Sequence, residues 1–351
     1  MMSRAIIFSS LLVTAGALPS AETGFNDASD DRLQGLWRAP GWQAEIIGLG
    51  SGTYRVQLGS EQGKGKPPLA IFMATTAPDG GVIMTPAEPG TIPTDHPKQK
   101  PAWWPAPKES ASWKAAWRDD LLHLSPANGP TITFAPVKMT SPTIGLAPPA
   151  DAVILLDATS TAESVAASWK TVKGGRPCPW TVVPGGVLQG VPKSGSVISA
   201  QVFGNHRLHL EFRLPYEPTH RGQDRSNSGL FLQGRYEIQI LDSFGLQAAD
   251  NECGGIYRNA PPHINGSAPP GTWQTYDLDF TEAVFAEGIQ IRPARVQVRH
   301  NGHVIHADQA ISGPTKSAPL AAGPEPQGIC LQDHGHPVQF RNIWVQPITT
   351  R

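Results

Sequence analysis

Between Asn227 and Gly245 the chain reads NSGLFLQGRYEIQILDSFG, and apolar and polar side chains alternate along it. Leu230, Leu232, Tyr236, Ile238 and Ile240 share one parity, while Phe231, Gln233, Arg235, Glu237 and Gln239 share the other. Successive side chains of a strand point to opposite faces. The spacing therefore predicts a strand pair with one apolar face and one face of Gln, Arg, Glu and Gln. An ordinary solvent face favours Lys, Thr and Ser. Planar groups that both donate and accept suit a floor for a polyhydroxylated ligand, and a solvated sheet face is the alternative.

The same alternation marks strands elsewhere. Trp42 to Leu58 predicts a hairpin turning at Gly50-Ser51-Gly52, followed by a polar loop over Glu61 to Lys66. Pro86 to Pro107 is too rich in proline for a regular element, and short strands resume at Trp117 and from Leu122 to Phe134. Residues 32–140 thus form a smaller β-rich domain. Its Trp37, Trp42, Trp103, Trp104, Trp113 and Trp117 read either as core or as a stacking platform for sugars, with core favoured. Ser141 to Ala150, SPTIGLAPPA, is a linker. Residues 151–348 then carry further strands at Val153–Leu156, Leu208–Leu214, Trp273–Phe280, Arg295–His300, Gly328–Gln332 and Val338–Val345. Asn301-Gly302 is a type I′ turn signal. Many short strands with few helical periods predict an all-β chain whose second unit is a sandwich or jelly roll.

Composition narrows the class. Gly 36 and Pro 35 agree with a turn-rich β protein. The net charge of −1, with no basic block, argues against a nucleic-acid partner. Residues 1–21 have the features of a secretory leader: Arg4, an apolar run from Ile6 to Val13, and Ala15-Gly16-Ala17 as a cleavage site. That run is too short for a membrane span. The expected location is periplasmic or extracellular. Cys178, Cys253 and Cys330 lack a CxxC arrangement, and the pairing of one disulfide or the presence of free thiols stays open.

The segments VILLDATS with Trp169, FGNHRLHLEFRLP, NSGLFLQGRYEIQILDSFG, NECGGIY, PPGTWQTYDLDF, ARVQVRHNG and ICLQDHGHPVQFRNIWV occur in this order. Through them, residues of about 151–348 resemble the 3-keto-disaccharide hydrolase domain family. Asp157-Ala158-Thr159 departs from the family's Asp-Gly-Thr at one turn. The resemblance implies a concanavalin/laminin-G-like jelly roll that cleaves glycosides oxidised at C3. A ketone at C3 acidifies the C2 hydrogen, so a base can remove it and expel the C1 substituent, after which water adds back. Such chemistry needs a base, a cationic or metal partner for the enolate oxygen, and an acid for the leaving group. Glu237 or His334 are candidate bases, Arg235 is a candidate enolate partner, and Asp242 or His334 are candidate acids. A divalent metal ion is a possible cofactor, with His334 and Asp242 as its candidate ligands. Asn227, Gln233 and Gln239 are candidates for gripping hydroxyls. Arg235 and Glu237 could instead form a cross-strand ion pair.

Other residues stay open in the same way. Glu211 and Arg213 either extend the floor or form a salt bridge. Asp333-His334-Gly335-His336 on its loop is by itself a weak metal signal, since two His and one Asp from one loop seldom complete a site. Glu237 to Asp242 is also similar to the E-I-D-x-x-E strand of glycoside hydrolase family 16, but Gln239 and Asp242 replace two of its acids. Residues five apart on a strand sit about 17 Å apart, or about 13 Å across a bulge, whereas retaining glycosidases need carboxyls about 5–5.5 Å apart. A non-catalytic sugar-binding module would use the same amides without needing Glu237 to titrate.

Overall fold

The period-2 pattern of residues 35–60 places every second side chain on one face, and that face closes around a core. The computed structural model describes residues 25–28, 31–61, 68–77, 81–87, 113–126 and 128–348. Eight antiparallel strands, β1 (Gly35–Ala39), β2 (Trp42–Gly50), β3 (Thr53–Ser60), β4 (Ala70–Thr76), β5 (Val82–Pro86), β6 (Lys114–Arg118), β7 (Leu121–Ser125) and β8 (Ile132–Val137), form a closed barrel in chain order. Leu36 pairs with Val137 to shut it, which leaves no exposed edge. Trp37, Ile46, Val56, Leu58, Phe72, Leu124 and Phe134 fill the interior. Trp42, Trp113 and Trp117 pack against this core, which supports the packing reading of the tryptophans. Trp103 and Trp104 lie outside the described residues, as do the leader expected over residues 1–21 and most of the 61–66 and 86–107 stretches.

Two sheets of the second unit bury one core between them, and β18 (Val284–Ala286) pairs with β19 (Ile289–Arg292) as a separate two-stranded sheet. The smaller sheet has the order β10 (Trp169–Thr171), β13 (Val197–Ser199), β22 (Cys330–Leu331), β15 (Ser228–Leu232), β16 (Tyr236–Ile240). The larger runs β11 (Thr181–Val183), β12 (Val187–Gln189), β23 (Gln339–Pro347), β14 (His206–Arg213), β17 (Trp273–Thr281), β20 (Ala294–His300), β21 (His303–Ile311), with β9 (Val153–Leu156) also on β23. Leu230, Leu232, Ile238 and Ile240 meet Leu208, Leu210, Phe212, Leu278, Val298 and Phe340 in one apolar cluster. The apolar parity expected of Leu230, Leu232, Tyr236, Ile238 and Ile240 is therefore the one observed. Asn301 and Gly302 turn β20 into β21 with φ of 50° and 78°, as the Asn-Gly pair predicts.

Residues 141–147, expected as a linker, form a strap across the outer face of the larger sheet. Ser141 Oγ lies 2.6 Å from Thr275 Oγ1, Thr143 donates to Asp277 at 2.6 Å, and the Gly145 N–H donates to Glu211 at 2.6 Å. The open question of the cysteines resolves as three free thiols, with Cys253 and Cys330 buried. Among the described residues no helix is long and apolar enough to cross a membrane. The barrel packs on the second unit through Leu36, Ile47 and Phe244, and Gln57 Nε2 donates to the Gly245 carbonyl at 2.6 Å.

Candidate active site

β15 and β16 pair with Phe231 opposite Glu237 and Gly229 opposite Gln239. Their apolar parity enters the core, so Asn227, Gly229, Phe231, Glu237 and Gln239 occupy the other face of the smaller sheet. β22 joins beside β15, with Cys330 opposite Phe231, and the Gln332 N–H donates to the Gly229 carbonyl at 3.0 Å. At one end of this face the 312–328 segment covers Phe231 and Cys330 with Ala318 and Leu320. At the other end the 215–226 segment brings Gln223, whose Oε1 accepts from Gln239 Nε2 at 3.0 Å and whose carbonyl accepts from Asn227 Nδ2 at 2.7 Å.

Glu237 sits between these two covers and is 2 % exposed. Its carboxyl lies against Gly229, where a Cβ would collide with Oε1, so glycine at 229 leaves the room that the acid occupies. Among the described residues no side chain or backbone group donates to this carboxylate. Burial alone pushes its pKa from 4.5 up to about 8. Two more buried acceptors beside it, Asn227 Oδ1 and Gln332 Oε1, also lack a donor. Buried polar atoms are nearly always satisfied. Three unmet acceptors on one face match a ligand that brings hydroxyl donors.

The structure brings some of the sequence-predicted residues here and sends others elsewhere. Asn227, Glu237 and Gln239 share the face. Gln233 does not: it and Gly234 form the tip of the hairpin, with φ of 53° and 60°, and Gln233 Nε2 donates to the Phe203 carbonyl at 2.9 Å. Arg235 is a pin for the covering segment, donating to the Ala321 and Glu325 carbonyls at 2.8 and 2.9 Å, and it forms no ion pair with Glu237. Asp242 is closed off by a buried ion pair with Arg225, Nε to Oδ2 2.7 Å.

Glu211 and Arg213 belong to β14, hence to the other sheet, and do not extend the floor. Glu211 pairs with Arg341 at 2.7 Å, the salt-bridge alternative. Burial opposes its charge, but hydrogen bonds from His209, Asn342, Gly145 and Arg341 prevail and hold its carboxyl down to about 2. Arg213 lies over the rings of Phe25 and Trp273 and donates to Gln339 at 3.0 Å.

His334 is exposed, its ring parallel to that of His336 at 6.3 Å. It is His336, buried, that meets other ligating groups: His336 Nδ1 is 2.8 Å and His220 Nδ1 3.4 Å from Glu217 Oε2. Ligating atoms of Glu217, His220 and His336 all lie within 4.8 Å of one another, a set compatible with a metal ion. Sequence reasoning missed Glu217, His220 and Gln332. A Glu-x-x-His spacing in the turn EPTH was the available signal for the first two, and nothing local marked the third.

The family model described as a 3-keto-alpha-glucoside-1,2-lyase-like domain matches residues 152–346. A crystal structure of a candidate glycosyl hydrolase from Parabacteroides distasonis ATCC 8503 is 34% identical, with a TM-score of 0.52 over 57% of this chain and 85% of that one. A second candidate glycosyl hydrolase from the same organism is 19% identical, with a TM-score of 0.39 over 52% and 89% of the two chains. No curated relative matches the chain. The family match and the first of these structures place the chain among carbohydrate-active enzymes of the glycosyl-hydrolase-like group.

Proposed function

The chain belongs to the 3-keto-alpha-glucoside-1,2-lyase-like family, and from that premise we propose that it cleaves 3-keto-glycosides by elimination across C1 and C2, with hydration completing a net hydrolysis. The observation that carries this reading is Glu237, a buried carboxylate without a hydrogen-bond donor, beside two more unmet acceptors. The second unit would then be a concanavalin-like jelly roll, and the leader-like residues 1–21 would direct it out of the cytoplasm.

In this mechanism Glu237 takes the C2 proton, which the C3 ketone has acidified. The electron pair moves onto the C3 oxygen and then returns to form the C1–C2 double bond as the C1–O bond breaks. The aglycone oxygen leaves with a proton, and exposed His334 is the member of the sequence-chosen set still free to supply it. Water added back across the double bond gives the free keto-sugar. A carboxylate whose pKa is about 8 accepts a proton from carbon more readily than an ordinary one does. Asn227, Gln332 and Gln239 hold the sugar's hydroxyls. The direct two-carboxylate glycosidase is less well supported, because Asp242, the other acid of the strand, is committed to Arg225.

Matched keto and non-keto disaccharides test the reading. Cleavage of the 3-keto sugar with the parent left intact is expected; cleavage of the parent alone would revive the direct glycosidase, and binding of both without turnover would favour a sugar-binding module. The pH profile is a second check. Below a pKa of about 8 Glu237 holds its proton and cannot act as a base, so kcat/KM should climb toward a plateau above that value. A profile flat across that midpoint, from about pH 6 to about pH 9, would remove Glu237 from this role.

A further inference from the structure

The 312–328 segment, between β21 and β22, is fastened to the hairpin of β15 and β16 at several points. Arg235 is buried and turns its guanidinium onto the segment, Nε donating to the Ala321 carbonyl at 2.8 Å and Nη1 to the Glu325 carbonyl at 2.9 Å. Backbone bonds continue the seam. The Thr315 N–H donates to the Arg235 carbonyl at 2.9 Å, and the Leu320 N–H to the Gly234 carbonyl at 3.0 Å. Glycine at 234 allows this close approach, since a Cβ there would stand 2.8 Å from Leu320 Cδ1. The Thr315 hydroxyl accepts from the Glu237 N–H at 3.0 Å and donates to the Arg235 carbonyl at 3.2 Å.

Held in this way, Ala318 and Leu320 pack on Ile198, Phe231 and Cys330. The Phe231 ring in turn walls the acid. A Cβ on Gly229 would meet both the Glu237 carboxyl and Phe231 Cε2, the latter at 3.2 Å, so ring and carboxyl share the space above that glycine. We propose that Arg235 is a positioning residue for the reaction: by clamping the 312–328 segment it holds Phe231 in place and keeps water from the Glu237 carboxyl. A planar guanidinium reaches two carbonyls at once with fixed geometry, whereas a lysine ammonium is a point charge on a flexible stem. The charges of the surrounding elements are engaged elsewhere. Cys330 faces the acid from β22, and burial together with the carboxylate pushes its thiol pKa up, so it stays neutral. On the opposite cover Arg225 is taken by Asp242 and Glu217 by His336. Beyond β16, the Tyr257 N–H donates to the Glu237 carbonyl at 3.1 Å while Arg258 turns to Asp250. Lys316 and Glu325 of the clamped segment are exposed. Dryness therefore sets the strength of this base. Its use in catalysis rests on the proposed elimination; the clamp itself does not.

The test follows Glu237 in the full chain without substrate, by the infrared band of its protonated carboxyl during a pH titration, with Glu237→Gln as the blank. Wild type should titrate at about 8. Arg235→Lys keeps the charge and loses the fork, and should move the midpoint to about 7 or below as water reaches the group. Leu320→Ser, at a half-buried position, removes part of the apolar cover and should move it the same way. The rise of kcat/KM with pH should follow to lower pH, toward a plateau reduced by up to about tenfold, the limit for a base weakened tenfold. A pin with a structural role alone would lower the unfolding midpoint and leave the titration in place. A wild-type midpoint in the ordinary carboxylate range, or one equal in wild type and both variants, would overturn the clamp. A midpoint that falls as expected in a protein that cleaves no 3-keto-glycoside would uphold the clamp and overturn the elimination.

Discussion

Glu237→Gln is expected to lower turnover of a 3-keto-glucoside at least about a hundredfold, the lower end of what a general base contributes, and at the same time to stabilise the fold. The two effects have one cause. Burial raises the Glu237 pKa from 4.5 to about 8 without a compensating donor. Between those values the folded protein keeps a proton that the unfolded chain has released. The unfolded state then binds fewer protons, so stability falls as pH rises through this window and levels off above about 8. Glutamine does not titrate and removes the fall. The gain should be on the order of 5 kcal/mol above pH 8 and vanish below the ordinary carboxylate range. Urea unfolding of both proteins at pH 4 and pH 9 reads it directly. An unchanged rate together with a stability difference independent of pH would show Glu237 to be a neutral, structural member of the sheet.

The second large effect belongs to Asp242. Its ion pair with Arg225 has side-chain exposures of 1 % and 4 %, and it ties the 222–225 turn to the end of β16. Taking away one member removes the 2.7 Å opposite charge from a buried partner. Asp242→Ala is therefore expected to cost about 3–5 kcal/mol of stability. Replacing both members with apolar side chains of similar volume should recover much of that loss, because the desolvation of two charges is relieved together. Equilibrium unfolding of the two singles and the double measures the coupling. A loss below about 1 kcal/mol for Asp242→Ala is the range of an exposed pair and would contradict the buried geometry. Activity should fall with stability in the single variants, since the same turn carries Gln223 onto the polar face.

The residues of the site differ in how far local pattern could reveal them. Alternation identified the two faces of β15 and β16 because strand geometry has period two whatever lies around it. It thus found Asn227, Glu237 and Gln239. It overreached at Gln233 and Arg235, which continue the alternation in sequence but fall at a tight turn, where the period no longer assigns a face. It failed at Glu211 and Arg213 for another reason: a polar parity says which side of its own sheet a residue occupies, not which sheet the strand joins. The His-Gly-His loop was visible, yet choosing His336 over His334 required the partner Glu217, and that contact spans 119 residues.

By itself the sequence determined the all-β character of this protein, the polar and apolar faces of the central hairpin, and a family resemblance that the family match bears out. Those features depend on local periodicity, turn chemistry and motif order, all carried by neighbouring residues. Tertiary structure alone decided that the first unit closes into a barrel, that Asp242 is spent on Arg225, that Glu237 loses water without gaining a donor, and that Glu217, His220 and His336 converge. Each of these depends on desolvation or on contacts between distant segments. The carboxylate that alternation could place on a face acquired its chemistry only from what packs around it.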